Sequence, residues 1–541
     1  MVGLVLALAM LQQVDADVSV AAVHPGDALC ERIEMLVSSP EVARAHWGVS
    51  VTAADGTPLC SLNALKLFRP ASTNKIFTSA AALALLGADK TFATTVNTDG
   101  DLRGGTLTGD LRLVGGGDAN FGAEDLPYVE PAGRPKEPVP ELPDIADVDA
   151  LADQVVARGV RRVTGDVVGD DTYFAWQPYP PEWTVGDVMY GYGAPVSALS
   201  VHDNAVRVRA LAEQTTTPAV AVEFTPTVPW FSIENTAVVG AASQSCGRTL
   251  VMERALGSRT LKVAGAVPRG SEGCGGSLAI DDPAEYAALA LKLALEQRGV
   301  KIQGKARAQH WDAAQAGGVF SGQNDADDFL RADMNAARPQ PVVCSAPEVL
   351  PYVAPKGMVL VTHVSSTLLA DEVYTLKTSQ NLHAELLLRN LGAAYNCDRT
   401  ERGSLHVVRE FLLHAGVEGD DFVLYDGSGL SGHDLVAPRA LSTFLVYAMR
   451  QPWFASWRAA LPVGGVDGTL HGRFKGALKE RVFAKTGTLE ESSALAGYVV
   501  TDAGATRVFA IMVDNHTPMT SAHHAALDAI VAAIADDGVE R

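Results

Sequence analysis

The stretch PASTNKIFTSAAALALLG, residues 70–87, is the most informative part of this sequence. Pro70 suits the first turn of a helix, the three alanines at 80–82 favour its middle, and Gly87 is a typical stop. The pattern predicts one helix over residues 70–86. Ser72 and Lys75 then lie three residues apart on one face, so that the lysine amine can reach the serine hydroxyl.

Two further short motifs follow in the last third of the chain. Ser379-Gln380-Asn381 begins a predicted helix that continues to Leu391, and Lys485-Thr486-Gly487-Thr488 lies inside a predicted strand, Val482–Leu489. Singly, such motifs are weak, because Ser72 could be an ordinary helix cap and Lys75 a solvated side chain. All three in this order, each on a suitable element, are typical of penicillin-recognising serine enzymes.

Each motif has a chemical rationale. A serine hydroxyl is a weak nucleophile at neutral pH and needs a base. Lys75 can act as that base if desolvation or a nearby cation, such as Lys485, lowers its pKa. The Ser379 hydroxyl can pass a proton to a leaving amine, and the Asn381 amide can hold a substrate peptide group.

The third motif is predicted to bind substrate. Lys485 and the Thr486 hydroxyl suit a terminal carboxylate, and Gly487 allows the backbone of a substrate alongside the strand to come close.

The sequence resembles the penicillin-binding protein 4 family, the class C low-molecular-mass DD-carboxypeptidase/endopeptidases. Beyond the three motifs, similar blocks extend over residues 65–515. They are Leu113–Asp118, Gly165–Asp171, Tyr192–Ser200, Asn381–Leu388, Asp426–Ser431 and Leu461–Leu470. The resemblance implies D-Ala-D-Ala carboxypeptidase/endopeptidase activity on peptidoglycan stem and cross-link peptides, through an acyl-serine at Ser72 that penicillins would also form. It also implies an oxyanion site made by the backbone N–H groups of Ser72 and Thr488.

The same resemblance implies the fold, an α/β (α+β) transpeptidase-like domain with two nested, mostly β inserted domains. The expected division is 1–24 as a signal-like segment, 25–92 plus 351–541 as the catalytic domain, 93–198 plus 281–350 as inserted domain II, and 199–280 as inserted domain III. The catalytic domain is expected to be an antiparallel sheet with helices on both sides. Acid- and proline-rich residues 122–147 and aperiodic residues 311–355 predict long loops or linkers.

A substrate-selective acid is expected from the loop before Ala194 and Pro195. In the resembling family this loop carries an acid that binds the free amine of the stem peptide, and Asp187 occupies the matching place. The surrounding aromatic residues suit a partly apolar pocket with one charge. The alternative is that Asp187 is an ordinary turn residue. Asp426 and Asp467 lie in glycine-rich stretches and are predicted to form turns rather than to contact substrate.

Composition limits the partners and the compartment. The formal net charge of −20 argues against nucleic acid or anionic lipid as the main partner. The apolar run Val2–Leu11 is too short to span a bilayer, and it predicts either a secretory signal or a buried element. We therefore expect a periplasmic or secreted protein without integral membrane association; the oligomeric state stays open.

Six scattered cysteines form no C-x-x-C pair, so neither a metal site nor a cofactor is expected. Proximity in sequence favours disulfides between Cys30 and Cys60, between Cys246 and Cys274, and between Cys344 and Cys397, with buried thiols as the alternative.

Two other functions compete with the peptidase. A β-lactamase would share acylation but would also need a positioned water for fast deacylation. A catalytically silent peptidoglycan-binding module would have no need of Ser72, Lys75, Ser379, Asn381 and Lys485 together.

Overall fold

The structure, a computed structural model, describes residues 28–122, 128–130, 145–212, 219–312, 357–395, 399–518 and 521–536. The predicted signal-like segment, Cys344, Cys397 and most of both long loops lie outside the described residues. The helices are α1 Ala28–Val37, α2 Lys75–Leu86, α3 Ala146–Ala157, α4 Cys246–Thr249, α5 Pro283–Gln297, α6 Leu368–Thr378, α7 Asn381–Tyr395, α8 Glu401–His414, α9 Pro438–Ala448, α10 Phe454–Ala460 and α11 Ala522–Ala535.

The strands divide between a sheet made from both ends of the chain and smaller sheets between them. They are β1 His46–Ala53, β2 Pro58–Leu62, β3 Ala93–Thr98, β4 Asp101–Arg103, β5 Thr106–Thr108, β6 Leu111–Val114, β7 Arg162–Val163, β8 Val167–Asp170, β9 Ala205–Ala212, β10 Val220–Thr225, β11 Ser232–Asn235, β12 Val238–Gly240, β13 Leu250–Arg254, β14 Thr260–Pro268, β15 Cys274–Ala279, β16 Lys301–Ile302, β17 Ala306–Gln309, β18 Met358–Val364, β19 Phe422–Val423, β20 Leu435–Val436, β21 Val482–Thr488, β22 Ser492–Val500 and β23 Thr506–Asp514.

The sheet formed by both ends of the chain has the order β2-β1-β23-β22-β21, and every neighbouring pair is antiparallel. Its central strands are buried on both faces. Alternate residues Ala494, Ala496 and Tyr498 of β22 pack into a core with α2, α7, α8 and α9, whereas Leu495 and Val499 pack towards α1 and α11. This confirms the predicted antiparallel sheet with helices on both sides.

Strand β21 lies at the edge of this sheet, so one side of the Lys485–Thr488 motif has no strand partner within the sheet. Helix α2 is apolar around nearly its whole circumference and packs in the core. The chain before it differs from the prediction of one uniform helix. Residues Ala71–Asn74 form a 3₁₀ turn, and the α-helix begins only at Lys75. Gly87 ends the helix with φ 88°, as expected.

The residues between the two halves of this sheet form several smaller sheets. One has the order β17-β8-β6-β3-β18 and another β16-β7-β5-β4, with α3 and α5 packed in the same core. Helix α5 begins at Pro283, with Asp282 accepting the Glu285 N–H as its cap. Two further sheets, β10-β9-β15 and the group around β14, lie wholly within residues 199–280. The domain division stays a prediction, but β18 pairs with β3 rather than with the large sheet.

Two disulfides are present among the described residues. Cys30–Cys60 joins α1 to β2, and Cys246–Cys274 joins α4 to β15. Both pairings were expected from proximity in the sequence. In the described parts of the chain, no helix has both the length and the apolar character that a bilayer crossing requires.

Candidate active site

Ser72 and Lys75 face each other at the start of α2. The Lys75 Nζ lies 3.0 Å from the Ser72 Oγ, which confirms that the amine reaches the hydroxyl. The lysine is fully buried, whereas the serine is half-buried. The 3₁₀ turn that carries Ser72 is fixed by the Thr73 N–H and hydroxyl, which both donate to the Pro70 carbonyl.

Two other groups determine how the Lys75 amine is used. Its Nζ also donates to the Asn381 Oδ1 at 2.6 Å and to the Ser428 carbonyl at 2.7 Å. Both of these oxygens can only accept hydrogen bonds. A neutral amine has two hydrogens and one lone pair, so once these oxygens take the two hydrogens the lone pair points at Ser72.

Burial lowers the pKa of Lys75 to about 8, although the carboxylates of Asp426, Glu385 and Asp434 act in the opposite direction. A lysine in this range is a usable base near neutral pH, which an exposed lysine is not.

Buried acids near Lys75 shape the turn whose Ser428 carbonyl accepts a hydrogen bond from the lysine amine. Glu385 accepts the N–H groups of Gly427 and Ser428 at 2.8–3.1 Å, which orients the Ser428 carbonyl towards Lys75. Burial and the nearby Asp426 raise the pKa of Glu385 to about 8. Glu385 is not among the site residues predicted from the sequence. Its position on α7, next to the Ser-Gln-Asn motif, was the available signal.

Asp426 is buried and accepts the N–H groups of Gly429 and Ser431, at 2.6 and 2.7 Å. It therefore forms the turn, as predicted. It also accepts the Trp183 Nε1–H at 2.9 Å, a contact from a distant loop. Asp467 likewise forms its own turn by accepting the Val463 N–H, and it binds the Lys377 ammonium at 2.5 Å.

The second motif lies at the kink between α6 and α7. Ser379 caps the end of α6 in a left-handed conformation, with φ 66°, and Asn381 begins α7. The Ser379 Oγ accepts a hydrogen bond from the Lys485 Nζ at 2.8 Å. The Asn381 amide bridges two parts of the molecule, because its Nδ2 donates to the Tyr192 carbonyl while its Oδ1 faces Lys75. Ser72, Lys75, Ser379, Asn381 and Lys485 are thus brought together in one cluster.

Lys485 differs from Lys75 in its surroundings. Its pKa is lowered well below the usual value by burial and by the charge of Lys75. From the sequence, either desolvation or a nearby cation such as Lys485 is expected to lower the Lys75 pKa. In the structure, burial is the main cause at Lys75, and the repulsion between the two amines weakens proton binding at Lys485.

The remaining residues of the third motif also lie on the edge strand β21. The Thr486 Oγ1 lies 2.8 Å from the Thr469 Oγ1, and Thr488 is exposed at the end of the strand. The packing of the protein itself requires a glycine at position 487, because a Cβ there would lie 2.5 Å from the Pro70 carbonyl oxygen and 3.1 Å from the Ser72 nitrogen. The closeness of a substrate backbone to Gly487 stays a prediction.

Asp187 lies on a loop at the rim of this cluster. Its carboxylate accepts the Thr184 N–H and hydroxyl at 3.0 and 2.7 Å and the Tyr192 hydroxyl at 3.2 Å. Since the Tyr192 carbonyl binds Asn381, the rim loop is joined directly to the cluster of motif residues. Burial and the neighbouring Asp187 raise the pKa of Tyr192 to about 12, so its hydroxyl keeps its proton.

Residues 29–323 and 319–535 match the model of the D-Ala-D-Ala carboxypeptidase 3 (S13) family. The chain belongs to this family. A D-alanyl-D-alanine carboxypeptidase of Actinomadura sp. is 33% identical over 483 residues, which are 87% of this chain and 78% of the relative. The D-alanyl-D-alanine carboxypeptidase DacB of Haemophilus influenzae is 23% identical over 456 residues, which are 83% of this chain and 80% of the relative.

A solved structure supports the fold of this carboxypeptidase family for the chain. The crystal structure of penicillin binding protein 4 from Haemophilus influenzae superposes with a TM-score of 0.71 and 20% identity, over 92% of this chain and 97% of that one. The chain therefore has the expected fold, a penicillin-recognising serine peptidase domain that carries inserted domains. A second structure of the Haemophilus protein, complexed with a β-lactam, has a TM-score of 0.65.

Proposed function

We propose that this D-Ala-D-Ala carboxypeptidase uses Ser72 as its nucleophile and Lys75 as the base that activates it. The observation that carries the proposal is the arrangement of the Lys75 amine. Two acceptor oxygens bind its hydrogens, its third direction faces the Ser72 Oγ, and burial lowers its pKa to about 8.

The reaction follows from these positions. The Ser72 hydroxyl gives its proton to Lys75 while its oxygen attacks the carbonyl carbon of the peptide between two D-alanines. The resulting oxyanion is bound by the backbone N–H groups of Ser72 and Thr488. A Cβ added at Gly487 would lie 3.1 Å from the Ser72 nitrogen, which supports this pair because it means that β21 lies against the turn that carries Ser72.

Collapse of the tetrahedral intermediate breaks the C–N bond and leaves an acyl ester on Ser72. The proton that Lys75 took from Ser72 is relayed through the Ser379 hydroxyl, which the Lys485 amine contacts, to the departing amine, so Lys75 is neutral again. Water then hydrolyses the ester, with Lys75 again accepting a proton. Asn381 holds a substrate amide, and Lys485 and Thr486 bind the terminal carboxylate.

The substrate is a peptidoglycan stem peptide, cleaved as a carboxypeptidase, or a cross-link peptide, cleaved as an endopeptidase. Asp187 binds the free amine of the stem-peptide side chain. Its junction with Tyr192 and Asn381 supports this role, because it places a carboxylate at the rim of the catalytic cluster. β-Lactams acylate the same Ser72 and act as inhibitors.

The protein acts outside the cytoplasm, in the periplasm or after secretion. The two disulfides support this compartment, since disulfides persist in oxidising environments.

Labelling with a fluorescent penicillin tests the proposal. The intact protein should be acylated at Ser72, as located by mass spectrometry of its peptides, and Ser72→Ala should remove the label without changing Tm. Ser61→Ala, at an exposed serine of β2, is the matched control and should label fully. Attachment to any other serine would refute the mechanism. A long-lived acyl-enzyme supports the peptidase, whereas rapid release of penicilloate would indicate a β-lactamase.

A further inference from the structure

The turn His202–Asn204 has an unusual backbone. Its three consecutive non-glycine residues have φ 53°, 55° and 52°. Left-handed backbone is unfavourable for residues with a Cβ and persists where the surrounding contacts fix it. Here the Asn204 side chain donates to the Pro195 carbonyl at 2.9 Å and the Ser200 hydroxyl at 3.0 Å, and its oxygen accepts the Val201 N–H at 3.1 Å.

This turn presents the Asp203 carboxylate to the second catalytic motif. One oxygen of Asp203 accepts the Gln380 Nε2–H at 2.9 Å, and the other lies 3.1 Å from the His383 Nε2. Gln380 is the middle residue of Ser-Gln-Asn, so its side chain connects the motif to a residue 177 positions earlier in the sequence. Its own oxygen accepts the Leu382 N–H, which fixes the first turn of α7.

His383 extends this contact to α6. Its ring is fully buried, and the Nδ1 lies 2.6 Å from Asp371 on α6. Burial acts to lower the pKa of His383, but Asp371 and Asp203 outweigh it and raise the pKa to about 10. The imidazole is therefore a cation between two carboxylates, one on each side of the kink at Ser379.

The kink at Ser379 depends on these side-chain contacts, because its backbone is not that of a regular helix. Ser379 is left-handed, and the N–H of Gln380 donates back to the Thr375 carbonyl rather than into a regular helix. A small rotation of this kink would move both the Ser379 hydroxyl and the Asn381 amide, which contact Lys485 and Lys75.

We propose that Asp203 is a positioning residue for acylation, which holds Gln380 and His383 and thereby sets the places of Ser379 and Asn381. The proposal rests on the roles given above to those two motif residues. Asp203 touches no reacting atom. Its position means that a left-handed turn, in the segment between the two halves of the large sheet, is part of the working active site.

Penicillin acylation kinetics of the full chain test this role. Asp203→Ala should lower the first-order acylation rate constant at least about tenfold, because misplacing catalytic groups slows chemistry strongly. The dissociation constant of the non-covalent complex should change little. Asp203→Asn keeps one acceptor oxygen and should recover part of the rate. Gln380→Ala should also lose rate, and the double variant Asp203→Ala/Gln380→Ala should be little slower than Asp203→Ala, since the two share one contact.

A matched control separates positioning from stability. Val206→Ala truncates a buried residue of β9, just after the turn, and should lower Tm while leaving the acylation rate constant unchanged. The proposal fails if Asp203→Ala lowers Tm but acylates at the wild-type rate, or if the losses of the two single variants multiply in the double variant. Either result leaves labelling of the wild-type protein at Ser72 intact, so it is distinguishable from failure of the proposed function.

Discussion

The buried centre of the site and its exposed rim are built differently. In the centre, Lys75 and Lys485 are fully buried, and their amines are held by serine, asparagine and carbonyl oxygens. On the rim, Tyr192 is 50% exposed and Asp187 is bound by hydroxyl groups of its own loop.

The difference separates two tasks. Desolvation in the centre moves lysine pKa values towards neutrality, so the centre can transfer protons. Charges on the rim are in contact with water, where their interactions are weaker, and we expect them to select among substrates. The centre should therefore affect every acylating compound, whereas the rim should affect only those that reach it.

The largest effect is expected from Lys75→Arg. Arginine keeps the charge but cannot give up its proton, so acylation should fall at least about a hundredfold, the usual scale for general-base catalysis. Both penicillin and a D-Ala-D-Ala peptide should show the loss, measured as the second-order acylation constant and as kcat/KM. Lys66→Arg, at an exposed site, is the control. Near-wild-type acylation by Lys75→Arg would reject the base.

Asp187→Ala should separate the rim from the centre. Truncating one partner of a hydrogen-bonded ion pair costs about 2–3 kcal/mol, so kcat/KM on a stem peptide with a free side-chain amine should fall roughly 30- to 150-fold. Acylation by a simple penicillin should not change. Glu182→Ala removes another acid of the same loop, which pairs with His433, and should affect neither reaction. Equal losses on peptide and penicillin would make Asp187 structural; no loss would place the amine pocket elsewhere.

Lys485→Arg tests whether the two buried lysines have distinct roles. An arginine still offers a cation and hydrogen-bond donors to a carboxylate and to Ser379, so kcat/KM on the peptide should fall only about tenfold, the value of one hydrogen bond to a charged group. The measurement is the ratio of this loss to that of Lys75→Arg. A ratio of one, meaning equal losses in the two variants, would contradict the assignment of Lys75 as the base.

The smallest effect is expected from Glu385→Gln. The neutral fraction of a base with a pKa of about 8 increases as the pH rises. Wild-type acylation should therefore increase with pH, with its midpoint near pH 8, and level off above it. Glu385 opposes the lowering of the Lys75 pKa, so a neutral glutamine should move the midpoint to lower pH. The rate at pH 7 should change less than about threefold, since a carboxyl with a pKa of about 8 is already mostly protonated there. A midpoint that rises would contradict the assignment.

Much of the buried centre could be predicted from the sequence because the elements that carry it follow from local residue patterns. The spacing of Ser72 and Lys75 on a helix, the helix start at Asn381 and the strand around Lys485 each follow from short-range pattern. Their convergence was inferred from the order of the three motifs and the resemblance.

The contacts that were missed are long-range. Nothing near Asp203 in the sequence indicates that it meets Gln380 and His383, and the partner of Trp183 is 243 residues away. Three left-handed residues without a glycine could not be predicted either, because side-chain contacts fix that turn. The sequence also does not indicate that Gly487 lies against the carbonyl of Pro70; its closeness to a substrate backbone stays a prediction.

The pairing of β1 with β23 has a consequence for the order in which the protein matures. Strand β1 pairs along its whole length with β23, and the Arg69 N–H donates to Asp514 across 445 residues. Ribosomes make the amino-terminal part first, so Ser72 is synthesised long before the strand that completes its sheet. Such non-local closure is slow and exposes partly folded chain. The turn that carries Ser72 thus acquires its complete sheet only after residues 506–514 have been made, so we expect a chain that stops before β23 to be inactive.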